Sequence, residues 1–306
     1  MLRLSTLVEK AFDNASDGYR FKQCLKELIS ILEFEDRRRS GRKIVELRAK
    51  RFVVLGDVHG DLDTMVKLLE RTHAISIAAS DGCVVMLGDY VDRGPRQPEV
   101  LALICELKRL LGERLVLLRG NHECPPWLPV YPHDYPYVLR YRYGHALGEE
   151  LYELSRQFFE LLPLVAIAKG MFVAVHGGPP VKRVVEAKNV SELLDIENDY
   201  EAIEDILWSD PVDDNELPNP SLGFALSYRG AGKVWGSTIT TKFLSLMNAK
   251  MIVRGHEPCY LGYKLDHGGR VLTVFSMKGY YGNAAAGAVV IDDKCLESIE
   301  RCIVTT

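Results

Sequence analysis

The sequence predicts an α/β fold, and three observations carry that expectation. Short β-branched runs alternate with amphipathic helical stretches from residue 52 onward, the pattern of βαβ units. Five of the apolar runs end alike, in a glycine beside Asp, Asn or His, or in a His followed by glycines. After residue 258 the text turns β-rich.

Residues 1–50 read as a helical segment packed on the core, because Phe21, Leu25, Leu28, Ile29 and Leu32 recur at helical spacing. The charged run "EDRRRSGRK" (35–43) is expected to be a solvated connection. From there 51–306 reads as one domain, since no composition shift marks a linker. "FVVLGDVHG" predicts a strand and "DLDTMVKLLERTHAI" a helix. "CVVMLGDYVDRG", "QPEVLALICELKRLLGE" and "RLVLLRGNHE" repeat the alternation. "MFVAVHGG" and "MIVRGHE" supply two more strands. "YLGYKLDHGGRVLTVFS" predicts a hairpin turning at 267–269, and "GAVVI" a last strand. The segment "PPWLPVYPHDYPYVLRYRYG" carries five prolines and five tyrosines, which argues against a regular helix. A substrate-facing rim and a rigid surface loop are both open readings of it.

With 306 residues, 47% hydrophobic and 26% charged, the composition is that of an ordinary soluble globular protein. A net charge of −4 gives no electrostatic footprint for nucleic acid or for an anionic membrane. No apolar run approaches the roughly 20 residues that span a bilayer, and the start is too charged for a secretory signal. The seven scattered cysteines read as reduced thiols in an intracellular, cytoplasmic protein.

The five strand endings deliver Asp57 with His59, Asp89, Asn121, His176 and His256. Ligands bind at the carboxyl ends of strands in open α/β sheets. Nitrogen and oxygen donors without thiolate suit Mn²⁺, Fe²⁺ or Zn²⁺. Six are too many for one tetrahedral site and a natural number for two ions sharing a carboxylate, the arrangement that clamps phosphoryl oxygens.

In order, "GDVHG", "GDYVDRG", "GNHE", "HGG" and "RGHE" resemble the metal-dependent PPP family of serine/threonine protein phosphatases, over roughly residues 50–285. The resemblance implies a calcineurin-like sandwich of two mixed β-sheets flanked by helices. It implies that Asp57, His59 and Asp89 hold one divalent ion, and that Asp89, Asn121, His176 and His256 hold a second, with Asp89 bridging. It further implies a hydroxide shared by the two ions as the nucleophile, phosphoproteins as substrates and no phosphoenzyme. His122 would then protonate the serine or threonine alkoxide, a poor leaving group, with Asp92 orienting it as a carboxylate orients a catalytic histidine. Arg93 and Arg229 would bind phosphate through their guanidinium forks, with Tyr280 beside them. Glu123 is read as support for the ligands, and Arg119 and Arg254 as structural. "FSMKGYYGN" departs from the Ala-Pro-Asn-Tyr-Cys stretch of eukaryotic members, and the chain reads as a compact prokaryotic version, archaea included. Three rival readings are a dinucleoside tetraphosphate hydrolase, a thiol phosphatase built on Cys295 and Arg301, and an inactive phosphoprotein-binding scaffold. Such hydrolases carry Asn at Asp92 and Asp at Glu123, so "DRG" and "GNHE" favour the protein phosphatase.

Overall fold

The computed structural model describes residues 3–306. Its first elements are two helices, Leu4–Ser16 and Gly18–Arg38. Between them Asp17 accepts the backbone N–H groups of Tyr19 and Arg20 and so caps the second helix. The stripe expected from spacing is the stripe that is buried: Phe21, Leu25, Leu28, Ile29 and Leu32, joined by Cys24. It packs against helices Gln97–Leu111 and His145–Leu161.

The helical reading of 1–50 fails at its end. Ile44–Glu46 is a strand, paired in parallel with Val165–Ala168 at a sheet edge. The helix stops at Arg38, Gly41 turns the chain with a left-handed φ of 75°, and Ile44 and Val45 are β-branched. The charged run is not wholly solvated either. Glu35 is buried and pairs at 2.8 Å with Lys108, which is 1% exposed and also donates to the Leu115 carbonyl.

Six strands form one sheet, in the order Ile44–Glu46, Val165–Ala168, Phe172–Ala174, Met251–Arg254, Val271–Val274, Tyr263–Asp266. Five form another: Ile303–Thr305, Gly287–Ile291, Arg51–Leu55, Gly82–Met86, Leu115–Leu117. Both mix parallel and antiparallel pairs. Phe52, Val54 and Val85 share a buried cluster with Phe172, Ala174, Val253 and Leu272 from the other sheet. The alternate residues Val53, Leu55, Val84 and Met86 belong to a second buried cluster with helices Leu62–Arg71, Ala74–Ser80 and Gln97–Leu111, which the N-terminal helices also join. Helices Val181–Glu186, Tyr200–Trp208 and Ser237–Met247 cover the far face of the six-stranded sheet. The expected sandwich of two mixed sheets flanked by helices is therefore the fold. Burial on both faces is why its strands read as unbroken apolar runs.

Several local expectations need correction. Residues 61–75 are not one helix: Leu62–Arg71 and Ala74–Ser80 are separated by a left-handed His73. The Pro- and Tyr-rich segment does contain a helix, Tyr135–Tyr143. Pro136 lies in its first turn, where no intrahelical N–H is required, and the other four prolines all precede it. The hairpin forms, with His267–Gly269 at its turn. Gly287–Ile291 is not the last strand, because Ile303–Thr305 pairs with it antiparallel. Two short 3₁₀ turns between them bring Cys295 and Cys302 to a Cα separation of 5.9 Å, where they form a disulfide. The reduced-thiol reading thus fails for that pair and holds for the other five cysteines. A third, three-stranded sheet of Asp210–Pro211, Lys233–Trp235 and Phe224–Leu226 lies outside the sequence expectation. Among the described residues no helix is long and apolar enough to cross a membrane.

Candidate active site

Strands Arg51–Leu55, Gly82–Met86 and Leu115–Leu117 run parallel, so their carboxyl ends emerge along one edge. Phe172–Ala174 and Met251–Arg254 do the same in the other sheet. The two edges are joined where Gly56 donates its N–H to Ser276 Oγ (2.8 Å) and His256 donates its own to Asp57 Oδ1 (2.9 Å).

All six candidate ligands meet there, and their contacts close a ring. His59 Nε2 lies 4.0 Å from Asp57 Oδ2 and 3.4 Å from Asp89 Oδ2, and His176 Nε2 lies 3.5 Å from Asp89 Oδ1. Asn121 Oδ1 is 2.9 Å from His176 Nε2 and 3.1 Å from His256 Nδ1, and His256 returns to Asp57. All are buried. The approach needs the motif glycines: a Cβ on Gly120 would fall 2.1 Å from Asp89 Oδ1, and one on Gly88 would fall 2.3 Å from the Gly120 nitrogen. His59, Asp89, Asp92, Arg93 and His256 all have φ between 45° and 75°. Left-handed non-glycine backbone is costly and clusters at functional sites.

The donor set fits divalent cations on three observations. His59 Nδ1 donates to the Val91 carbonyl (2.8 Å) and His176 Nδ1 to that of Leu87 (3.0 Å), which leaves both Nε2 lone pairs turned to the cluster. The His176 lone pair then faces the Asn121 carbonyl oxygen, two acceptors in need of a positive charge. Nε2 of His256 is buried with no hydrogen-bond partner. The protonation energetics agree. Burial lowers His59 to about 3 and depresses His176 and His256 strongly, the latter also through Arg229 and Arg254. Burial pushes Asp57 up to about 7, and burial with the charges of Asp57 and Glu123 raises Asp89 further. A cation would reverse that carboxylate penalty.

His122 sits beside the ring, its imidazole 4.7 Å from that of His59. Its Nδ1 donates to Asp92 Oδ2 at 2.6 Å. Burial alone would raise Asp92, but the hydrogen bonds from His122 and His133 outweigh it and hold Asp92 ionised well below the usual carboxylate range. His133 escaped the sequence reading. It lies 41 residues along the chain and donates to the same oxygen at 2.7 Å. No motif in "PHDYP" signals this; only the fold brings it there.

Arg93 and Tyr280 share one side of the site: Tyr280 lies 5.8 Å from the His59 ring, and burial raises the Tyr280 hydroxyl while the Arg93 charge opposes that shift. Arg93 Nε is buried without a partner. Arg229 is tied by Nε to Asp210 at 2.5 Å, an anchor the sequence reading also missed. Glu123 accepts the N–H groups of Asp89 (2.7 Å), Tyr90 (2.8 Å) and Gly120 (3.0 Å), so it clamps two ligand loops together. Arg119 is occupied with Glu160 and the Glu123 carbonyl, and Arg254 with Asp210, Glu257 and two carbonyls, which makes both structural. Cys295 is bonded to Cys302, so it presents no thiolate for a cysteine phosphatase. On the metal-hydroxide chemistry that the motif resemblance implies, Cys295→Ser should leave turnover within about twofold of the parent chain, since that chemistry needs no thiolate nucleophile. A large loss with the unfolding transition unchanged would restore the thiol reading.

Residues 50–260 match the model of the calcineurin-like phosphoesterase family, and the chain belongs to that family. Its relatives narrow the class to serine/threonine-protein phosphatases. The chain is 31% identical over 264 residues to a protein phosphatase 2A catalytic subunit of Dictyostelium discoideum, covering 86% of this chain and 78% of that protein. It is also 31% identical over 241 residues to a protein of Encephalitozoon cuniculi (strain GB-M1) named as a probable serine/threonine-protein phosphatase. That match covers 78% of this chain, which spans only 49% of that relative's length. Among solved structures, a serine/threonine phosphatase of Saccharomyces cerevisiae shares the fold with a TM-score of 0.71 at 23% identity, covering 92% of this chain and 89% of that one.

Proposed function

We propose that the chain hydrolyses phosphate monoesters on phosphoserine and phosphothreonine proteins, with Asp57, His59, Asp89, Asn121, His176 and His256 holding two divalent ions, Mn²⁺, Fe²⁺ or Zn²⁺. The observation that carries this reading is the His122–Asp92 pair beside the ligand ring: a positioned proton donor next to a site built for cations. When bound, the ions acidify a water and neutralise phosphoryl oxygens. Everything else is the work of this chain's residues. Arg93 and Arg229 hold the phosphate, and Arg93 has a buried N–H still to satisfy. Asp210 keeps the Arg229 fork in place. Asp92 holds the Nδ1 proton of His122, which leaves Nε2 as the atom that gives a proton to the departing serine or threonine oxygen.

Asp92 also separates this reading from dinucleoside tetraphosphate hydrolysis. Its two oxygens accept four donors, from His122, His133 and the N–H groups of Asp134 and Tyr135. An asparagine there would turn an NH₂ group toward one set of donors. Chelation should abolish turnover and Mn²⁺ should restore it. In the restored protein, phosphoserine and phosphothreonine peptides should be cleaved well ahead of a dinucleoside tetraphosphate, with a phosphotyrosine peptide assayed beside them. Full activity in metal-free protein, or preference for the dinucleotide, would refute the reading.

A further inference from the structure

The loop that carries Asp92 lies between strand and helix, and its backbone is left-handed at two successive residues, φ 66° at Asp92 and 75° at Arg93. Such a conformation persists only when its surroundings over-determine it. Here the surroundings come from residues 133–135 of the Pro- and Tyr-rich segment. The N–H groups of Asp134 and Tyr135 both reach Asp92 Oδ1 at 2.8 Å. Asp134 accepts the Arg93 N–H at 3.1 Å and a Gln97 amide N–H at 3.1 Å, while Gln97 accepts the Asp92 N–H at 2.9 Å. The remaining donor is the His133 ring, at 2.7 Å from the oxygen that His122 uses. Its other nitrogen meets the Tyr152 hydroxyl at 3.0 Å. Since the carboxylate can only accept, His133 donates through Nδ1, and its Nε2 shares a hydrogen bond with the Tyr152 hydroxyl, which fixes the ring at both ends.

We propose that His133 is a positioning residue for the leaving-group acid: it fixes the Asp92 oxygen that aims His122, and so acts on catalysis through Asp92. The two backbone donors fix Oδ1 alone and leave the carboxylate free to swing Oδ2 about it. A second charge-assisted bond on Oδ2, from a ring braced by helix His145–Leu161, removes that freedom. A histidine serving only local packing has no reason to share the oxygen bound by His122. This inference rests on the proposed role of His122 as the acid.

The test compares a phosphoserine peptide with nitrophenyl phosphate, whose leaving group departs without a proton. His133→Ala should lower kcat on the peptide by roughly tenfold, a fraction of the full general-acid contribution. It should lower kcat on nitrophenyl phosphate by less than about threefold, with metal content unchanged. His133→Asn, which keeps an N–H near the position of Nδ1, should recover most of the peptide loss. In a His122→Asn background, His133→Ala should add nothing further, because residues acting through one group are non-additive. Should His133→Ala fail to unfold cooperatively, Tyr152→Phe, which frees one end of the ring, should give the same bias at smaller size. Equal losses on both substrates, no rescue by Asn, or additive losses would overturn the proposal. If His122→Asn shows the leaving-group bias and the His133 and Tyr152 variants show none, only this inference falls. If His122→Asn itself shows no bias, the assignment of the acid falls with it.

Discussion

His122→Asn should cut turnover of a phosphoserine peptide by roughly 10²–10⁴-fold, the usual contribution of a positioned general acid. Nitrophenyl phosphate should suffer far less, because a nitrophenolate leaves readily as an anion and a serine alkoxide does not. The geometry supports that asymmetry. His122 Nδ1 is committed to Asp92 at 2.6 Å, so Nε2 is the nitrogen available to a leaving oxygen. Burial lowers the affinity of His122 for its proton, and Asp92 opposes that shift by hydrogen bond and by charge. Asp92→Asn should therefore give the same bias more weakly, since the imidazole survives while its orientation and charge support are lost. Metal content should stay at the parental level in both variants. Equal losses on the two substrates would mean that His122 stabilises phosphoryl oxygens instead. Loss of metal in His122→Asn would mean that the six-ligand set is wrong, a live contrast because His122 lies close enough to His59 and Asp89 to form a ligand cluster with them.

The meeting of the six candidate ligands was legible in the sequence because rigid strands compress them into contiguous text. "GDVHG", "GNHE" and "RGHE" each place a side chain within a few residues of a strand end, and parallel pairing fixes where that end lies. The strand faces were not legible: Phe52 and Val54 pack on one side and Val53 and Leu55 on the other, but all four are apolar, so the sequence shows only an unbroken run. What else stayed hidden depends on distant contacts. His133 becomes part of the site only because the loop after "GNHE" folds back over Asp92. Asp210 matters through Arg229 and Arg254, 19 and 44 residues away. The strand Ile44–Glu46 is three residues long, too short for any period to show. The prolines of 125–144 suggest a broken helix, whereas one of them begins it.

Asp89→Ala should be the most damaging substitution among the six ring residues, and it separates a shared carboxylate from a terminal ligand. Asp89 Oδ2 lies 3.4 Å from His59 Nε2 and its Oδ1 lies 3.5 Å from His176 Nε2, so its two oxygens face the two halves of the ring. If it serves both ions, its loss should empty both positions, and metal analysis should find close to none bound. His256→Ala removes a side chain that reaches only one half, through Asn121, while the backbone N–H bonded to Asp57 survives, and it should leave about one ion per chain. Turnover should follow. Metal ions supply several kcal/mol of charge stabilisation in phosphoryl transfer, and about 1.4 kcal/mol is tenfold in rate, so Asp89→Ala should lose roughly 10³-fold or more. Stability should respond differently in the two forms of the protein. Ion binding to the parent chain should raise Tm, because a ligand that binds only the folded state stabilises it, and Asp89→Ala should lose that rise. Without metal, the parent chain buries Asp57, Asp89 and Glu123 close enough that Asp57 and Glu123 raise the proton affinity of Asp89. Removing one of three crowded carboxylates relieves that repulsion but leaves the buried His122 N–H, which Asp89 accepts at 2.9 Å, without its partner, so metal-free Asp89→Ala should melt close to the metal-free parent. An Asp89→Ala protein that still binds two ions, or that melts well below the metal-free parent, would assign Asp89 to holding the fold together instead of bridging the ions.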